Sequence, residues 1–195
     1  MELFCDVVVW EKPAITVSYR TGMTVFEEGL RDGRWVALSY SASGHLMAAN
    51  NRPAPSFMNV DQFARPESFR LSADGQDLNS HWEYAGCETT REGESLRACV
   101  TLKHAVRPVT VRIRTLLDGT GVFERAIEVV NTSDRPMALS ALSPLSGAVQ
   151  QTGYGKNRLD VSGEVYRVGY MKSSIWGGEG EFRWHTLPDE IYTVA

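Results

Sequence analysis

The middle of the chain alternates apolar and polar residues with a period of two. In the stretch PVTVRIRTLLDGTGVFERAIEVVNTSDRP, Val109, Val111 and Ile113 fall on one side and Arg112 and Arg114 fall on the other. This period is typical of a half-buried β-strand. The DGTG that follows supplies residues able to adopt the positive φ of a hairpin turn, and the next run reads as the returning strand. A similar run, LRACVTLK, precedes the pair, so we predict a three-stranded meander.

The same pattern recurs along the rest of the chain. The turn-rich clusters RDG, SASG, SADGQ and NTSDRP separate further strand-like runs. These runs cover residues 3–10, 14–19, 34–40, 69–73, 137–142, 147–150, 165–171 and 182–186. No window carries the i, i+3, i+4 apolar stripe of a long amphipathic helix. We therefore predict an all-β protein with little helix, built as two packed antiparallel sheets or a barrel.

One segment is irregular. NNRPAPSFMNVDQFARPES holds three prolines among its aromatic residues. Because Phe57, Met58 and Phe63 are costly to leave in water, we predict a long ordered loop here.

Composition adds limits rather than a function. The chain has 195 residues and a net charge of −4, which favour one globular domain over residues 1–195 with no basic block for nucleic acid. No apolar run reaches the length that spans a bilayer, and the N-terminus lacks a signal-peptide pattern, so we expect a cytoplasmic protein. Because the chain ends on the apolar run DEIYTVA, we expect it to be part of a longer one.

Candidate chemistry concentrates near the C-terminus, in SSIWGGEGEFRWH. An exposed indole is a platform for the C–H face of a sugar, and adjacent carboxylate or imidazole groups bind hydroxyls. Trp176, Glu179, Trp184 and His185 are therefore the candidate substrate-binding residues. The alternative is a hairpin whose two tryptophans pack in the core around a Gly-Gly turn.

Other candidates are weaker. In DLNSHWEYAG, a strand would turn Trp82 and Tyr84 to the core and His81 and Glu83 to solvent. We identify no metal-ligand cluster, phosphate-binding loop or nucleophile elbow, and we expect no cofactor. The three widely spaced cysteines are expected to be free thiols.

One residue of the central hairpin conflicts with its pattern. Arg125 falls on the apolar side of its strand, where an unpaired charge is expensive. Either a buried carboxylate pairs with it, or this part of the sheet faces a cleft or another domain.

The order of these features resembles the N-terminal β-supersandwich domain of family 36 glycoside hydrolases, the α-galactosidase and melibiase group. The matching stretches are PESFRLSADGQDLNSHWEYAG, then GVFERAIEVVNTSDRPMALSALSPL, and last YRVGYMKSSIWGGEGEFRWHTL, in which Trp176-Gly-Gly-Glu179 is similar to the family's W-x-x-E. The resemblance covers most of the chain from Phe69 onward.

The resemblance implies a galactose mutarotase-like supersandwich and a non-catalytic role. The family's two catalytic aspartates lie in a following (β/α)8 barrel, so no catalytic residue is carried over. It implies a domain that packs on that barrel, sets oligomer contacts and lends an aromatic side chain to the sugar site.

Two alternatives remain. One is a stand-alone mutarotase-like sugar epimerase or carbohydrate-binding protein, with His81 or His185 and Glu179 as acid and base. The other is a domain-packing or oligomerisation module marked by the apolar C-terminus and Arg125.

Overall fold

The computed structural model describes residues 4–41, 67–145, 167–172 and 181–186. The chain divides into two compact units, Met1–Val149 and Gln150–Ala195. Every regular element within the described ranges is a β-strand, and every pairing between strands is antiparallel. The all-β prediction is therefore confirmed. That one supersandwich covers residues 1–195 stays a prediction, as does the loop at NNRPAPSFMNVDQFARPES, which lies mostly outside the described residues.

The strands of the first unit form three sheets. The first sheet has the order β1 (Cys5–Trp10), β2 (Thr16–Thr21), β3 (Thr24–Arg31), β4 (Arg34–Ser41). The second has the order β10 (Phe123–Asn131), β9 (Val109–Leu117), β8 (Ser95–His104), β7 (Trp82–Glu92). The third has the order β11 (Leu139–Ser143), β5 (Arg70–Ala73), β6 (Gln76–Asp77).

The second sheet is the predicted meander. Strand β9 alternates as the sequence requires, since Val109, Val111 and Ile113 are at 2% exposure or less and Arg112 and Arg114 are exposed. Burying each such side chain stabilises the fold by about 1.5–3 kcal/mol. The predicted hairpin turn is also confirmed, because Gly119 and Gly121 have φ of 84° and 90°.

One apolar core joins the sheets of this unit. Strands β1, β2 and β3 of the first sheet lie against β8, β9 and β7 of the second, which makes a two-layered sandwich. The core takes its largest side chains from both layers and from the third sheet: Tyr19, Phe26, Trp35, Phe69, Leu71, Trp82, Leu102, Ile113 and Leu117.

Three strands escaped prediction in whole or in part, among them the two-residue β6, whose Gln76 falls in the expected SADGQ turn. Strand β3 carries adjacent charges, Glu27 and Glu28, and its pairing with β4 shifts register between them. The extra residue of this bulge is Leu38 on β4, so it is the two adjacent charges that obscure the apolar pattern of β3. Strand β7 was expected only at its start, and it continues past a second register shift between Tyr84 and Gly86.

The described part of the second unit is one hairpin. Strands β12 (Arg167–Lys172) and β13 (Glu181–Thr186) pair so that Gly169 is opposite Trp184. Across the described ranges, we find no helix of the length and apolar character needed to cross a membrane.

Candidate functional site

The predicted C-terminal site lies only partly within the described residues. Trp184 and His185 are on strand β13, and the backbone of His185 pairs with Val168 of β12. Trp176 and Glu179 lie outside the described residues. Their convergence with Trp184, and the acid–base pairing of His81 or His185 with Glu179, therefore stay predictions.

Trp184 is on the surface of its hairpin, not in a core. Its side chain is 64% exposed and that of Phe182 is 52% exposed. The two residues are two apart on one strand and therefore share a face. Their ring centroids are 5.2 Å apart at an angle of 76°, an edge-to-face contact. For Trp184, the alternative of a core tryptophan is wrong.

Glycine makes room for these two rings on the facing strand. A Cβ atom added at Gly169 would overlap the Phe182 ring and lie 3.1 Å from Cζ3 of Trp184. The rings therefore rest directly on the β12 backbone. Together Phe182, Trp184 and Gly169 form what we call the aromatic face.

Arg125 has the buried partner that its position requires. Its side chain is 4% exposed and that of Glu28 is fully buried. Arg125 Nη1 donates to Glu28 Oε1 at 3.1 Å, and Nη2 donates to Oε2 at 2.6 Å. The first of the two alternatives for Arg125 is thus confirmed.

Further polar contacts complete this pair. Tyr19 Oη donates to Glu28 Oε1 at 2.7 Å, and the Ser68 hydroxyl donates to Oε2. Arg125 also donates to Ser68 Oγ at 2.9 Å and from Nε to the Pro144 carbonyl at 2.7 Å. We call these five residues the Glu28 network. Such saturation is what stabilises a charge inside a protein.

Electrostatic interactions keep the Glu28 carboxylate and the Arg125 guanidinium of this network charged. Burial alone raises the pKa of Glu28, but the Arg125 charge and the hydrogen bonds from Arg125, Ser68 and Tyr19 outweigh it and hold the pKa below its ordinary value. Burial and then the Glu28 charge raise the pKa of Tyr19 well above its ordinary value. Tyr19 therefore stays a donor. Every carboxylate oxygen is occupied, so this network is a structural cross-link and offers no free acid or base.

A polar groove forms a third cluster, at the start of β7. It is an open cavity of about 320 Å³ lined by Gln76, Asp77, Ser80, His81, Val106 and Arg107, among others. His81 precedes the strand instead of lying within it, while Trp82 is 3% exposed and Tyr84 stacks on Trp35. The two aromatic residues thus face the core as predicted.

His104 also lines this groove, and its ring is held in place by backbone hydrogen bonds. Its Nδ1 accepts backbone N–H bonds from Val106 at 3.2 Å and Arg107 at 3.0 Å, so the imidazole must be neutral. Burial lowers the pKa of His104, and repulsion from His81 and Arg107 lowers it further. A hydrogen bond to the Ser80 backbone opposes this shift but does not outweigh it. His104 is therefore unsuited to act as a proton donor.

The described residues contain no group of three or more His, Cys, Asp and Glu side chains placed to hold a metal ion. The three cysteines, Cys5, Cys87 and Cys99, are free thiols, as predicted. Burial, with the charges of Cys99, Glu28 and Glu88, raises the pKa of Cys87 to about 11. A thiol of this kind is a poor nucleophile at neutral pH.

Comparison of the chain with protein-family models, with curated proteins and with solved structures gave no match. The resemblance to family 36 glycoside hydrolases accordingly stays a prediction.

Sequence reasoning missed most of the Glu28 network and the groove. The one signal for the network was Arg125 itself, since a charge on an apolar strand face requires a partner. Nothing local pointed to Glu28, which is 97 residues away along the chain.

Proposed function

We propose that this chain is a non-catalytic accessory domain that contacts carbohydrate in an α-galactosidase-like glycoside hydrolase. The aromatic face carries the proposal. Trp184 and Phe182 expose more than half of each side chain on one side of a hairpin. Aromatic rings displayed in this way match the C–H face of a pyranose and lose little conformational entropy on binding.

The order of sequence features gives the ligand class. The strand-turn-strand run that contains Arg125 and the later Trp176-Gly-Gly-Glu179 occur in the order seen in the α-galactosidase group. In that reading the O-glycosidic bond of an α-galactoside is hydrolysed by a barrel that follows this domain, and this domain lends aromatic contact, barrel packing and oligomer contacts. A cytoplasmic location belongs to the same proposal.

The Glu28 network is compatible with a non-catalytic role. The buried carboxylate accepts hydrogen bonds on both oxygens and its guanidinium partner is fully engaged. The charges of this site therefore serve the sandwich and are not available to a substrate.

Sugar binding tests the proposal directly. We would titrate the protein with methyl α-D-galactopyranoside and follow tryptophan fluorescence, comparing Trp184→Ala with Trp10→Ala as a matched control. Trp10 is 40% exposed on β1, in the other unit. Since stacking on an aromatic ring contributes about 1 kcal/mol, Trp184→Ala should weaken binding roughly fivefold or more, and Trp10→Ala should not.

A second variant and an activity assay complete the test. Gly169→Val should weaken binding while Trp184 is present, because the new side chain displaces the Phe182 ring. The protein should not turn over an aryl α-galactoside. Saturable turnover, or equal binding by wild type and Trp184→Ala, would contradict the proposal.

A further inference from the structure

His81 has a backbone conformation that residues other than glycine seldom adopt. Its φ is +65°, in the left-handed region. Neighbouring backbone groups fix this geometry, because Trp82 N–H donates to the Gly33 carbonyl at 2.7 Å and Ala105 N–H donates to the His81 carbonyl at 2.8 Å. The fold therefore requires a left-handed residue at this junction.

Glycine would meet that requirement without steric cost. The other non-glycine residues with positive φ in the described ranges are Asp32 and Asp74, and each precedes a glycine in a two-residue turn. Aspartate is typical of such turns. His81 is not in a turn of this kind, and its side chain is exposed, so the ring is not needed to fill the core. A strained residue with an exposed functional group points to a role in binding.

The groove beside His81 supplies several hydrogen-bonding groups. Its volume is about 320 Å³, within the range of small-molecule sites. The Ser80 hydroxyl and His81 Nδ1 are hydrogen-bonded at 2.9 Å, and the Gln76 amide lines the same groove. Val106 borders it with 68% of its side chain exposed, so an apolar surface lies beside the polar groups.

The two charged residues of the groove, Arg107 and Asp77, are each compensated by a residue outside it. Arg107 pairs with Asp74 at 3.0 Å, and Asp77 lies 3.9 Å from Arg70 and accepts a hydrogen bond from the Ser72 hydroxyl. An anion would meet the Asp77 carboxylate, and a cation would meet Arg107. The groove therefore suits an uncharged ligand rich in hydroxyl groups.

We infer that the His81 groove is a second binding site for a neutral pyranose, separate from the aromatic face. The sugar's hydroxyl groups bind the His81 ring, Ser80 and Gln76, and its C–H surface lies on Val106. His81 is retained in a strained conformation because its imidazole binds the ligand. The inference shares its ligand class with the proposed function but uses none of the same residues.

The test is an NMR titration of the full chain, following the imidazole resonances. Those of His81 are identified by their loss in His81→Gly. With methyl α-D-galactopyranoside as the probe, they should shift saturably, whereas inorganic phosphate should give no saturable shift. His81→Gly relieves the strain and should fold at least as stably as wild type. Backbone resonances of the groove should show its affinity for the sugar reduced about three- to tenfold, the loss expected for one hydrogen bond.

Matched variants separate strain from binding. Asp32→Gly also replaces a left-handed residue outside the groove and should leave the affinity unchanged. His81→Asn retains tolerance of positive φ without the ring, and it should lose affinity as His81→Gly does. If His81→Gly fails to fold, His81→Asn gives the result.

Three outcomes would overturn the inference. These are unchanged affinity in both His81 variants, a saturable response to phosphate that exceeds the response to the sugar, and no His81 shift at any sugar concentration. Trp184→Ala distinguishes the two proposals, because it should weaken the binding followed by fluorescence and leave the His81 shifts intact. Failure of this groove would leave the aromatic face standing.

Discussion

Replacing Arg125 with methionine removes one half of a buried ion pair at nearly constant volume. The guanidinium is 4% exposed and the carboxylate of Glu28 is fully buried. The substitution deletes two hydrogen bonds to Glu28, of 3.1 and 2.6 Å, one to Ser68 and one to the Pro144 carbonyl. Glu28 keeps only the hydrogen bonds from Tyr19 and Ser68.

The magnitude follows from what the remaining carboxylate can do. Breaking a buried pair from one side costs about 3–5 kcal/mol. Glu28 can escape part of this by binding a proton, which at pH 7 costs about 1.36 kcal/mol for each unit above an unfolded pKa of about 4.3, or about 3.7 kcal/mol. At pH 5 the same protonation costs only about 1 kcal/mol. We therefore expect Arg125→Met to lose about 3–5 kcal/mol at pH 7 and up to about 2.7 kcal/mol less at pH 5.

Urea unfolding at the two pH values, followed by circular dichroism, measures this difference. Arg114→Met is the matched control, since Arg114 pairs with Glu128 on the outer face of the same sheet and is 52% exposed. It should cost less than about 1 kcal/mol. The double variant Glu28→Met with Arg125→Met leaves no buried charge and should regain most of the loss. A cost below about 1 kcal/mol for Arg125→Met, or an equal cost at both pH values, would refute a buried Glu28 anion.

Three further predictions concern the first unit. The folded pKa of Glu28 lies below its ordinary value, so the stability of the wild type should fall as the pH drops below about 4.5. Measured as urea midpoints, the stability of Glu28→Gln should fall less steeply over the same range. Parallel curves for the two proteins would argue against a lowered pKa of Glu28. With a pKa of about 11, Cys87 at pH 8 should be alkylated roughly a hundredfold more slowly in the folded than in the unfolded protein, by mass spectrometry, and equal rates would show that it is not shielded. Gly22→Ala places a Cβ 2.8 Å from the Gly119 carbonyl at φ +54°, whereas Gly93→Ala has the strain of φ +63° with no atom nearby. Gly93→Ala should cost about 1 kcal/mol and Gly22→Ala about 1–3 kcal/mol more, and equal thermal shifts would contradict the close approach of these turns.

The Glu28 network also explains how separate parts of the first unit are held together. Arg125 on β10 contacts Glu28 on β3, Ser68 ahead of β5 and Pro144 just after β11. The four residues come from all three sheets or their borders. One guanidinium therefore ties two layers of the sandwich to the third sheet, which apolar contacts alone would do with less directional preference.

Local sequence patterns predicted most of the strands because the two faces of a half-buried strand appear in the sequence as alternating apolar and polar residues. Strands β8, β9 and β10 fall within one or two residues of their expected bounds. Strand β3 was missed because the adjacent charges Glu27 and Glu28 interrupt its apolar pattern. Glu28 lies two residues after Phe26, on the same buried side of the strand. Only a partner from β10 makes that inward charge acceptable.

The candidate sites divide along the same line. The sequence made Trp184 a candidate because tryptophan, glycine and acidic residues lie close to it in the chain. The structure places Trp184 on an exposed face with Phe182. The sequence offered His81 as a candidate acid or base, but it did not predict the groove or the positive φ of His81. That φ depends on the backbone of Gly33 and Ala105 and not on neighbouring residues in the chain.

The all-β class, the central meander with its glycine turn, and the need of Arg125 for a buried partner could all be predicted from the sequence. These follow from period-two alternation and from the cost of an unpaired charge, which are properties of short segments. The three-dimensional structure was needed to show that this partner is Glu28, that Trp184 is exposed, and that His81 lines a groove. These three features depend on contacts between parts of the chain that are distant in sequence. A local sequence pattern does not indicate which distant groups will be in contact.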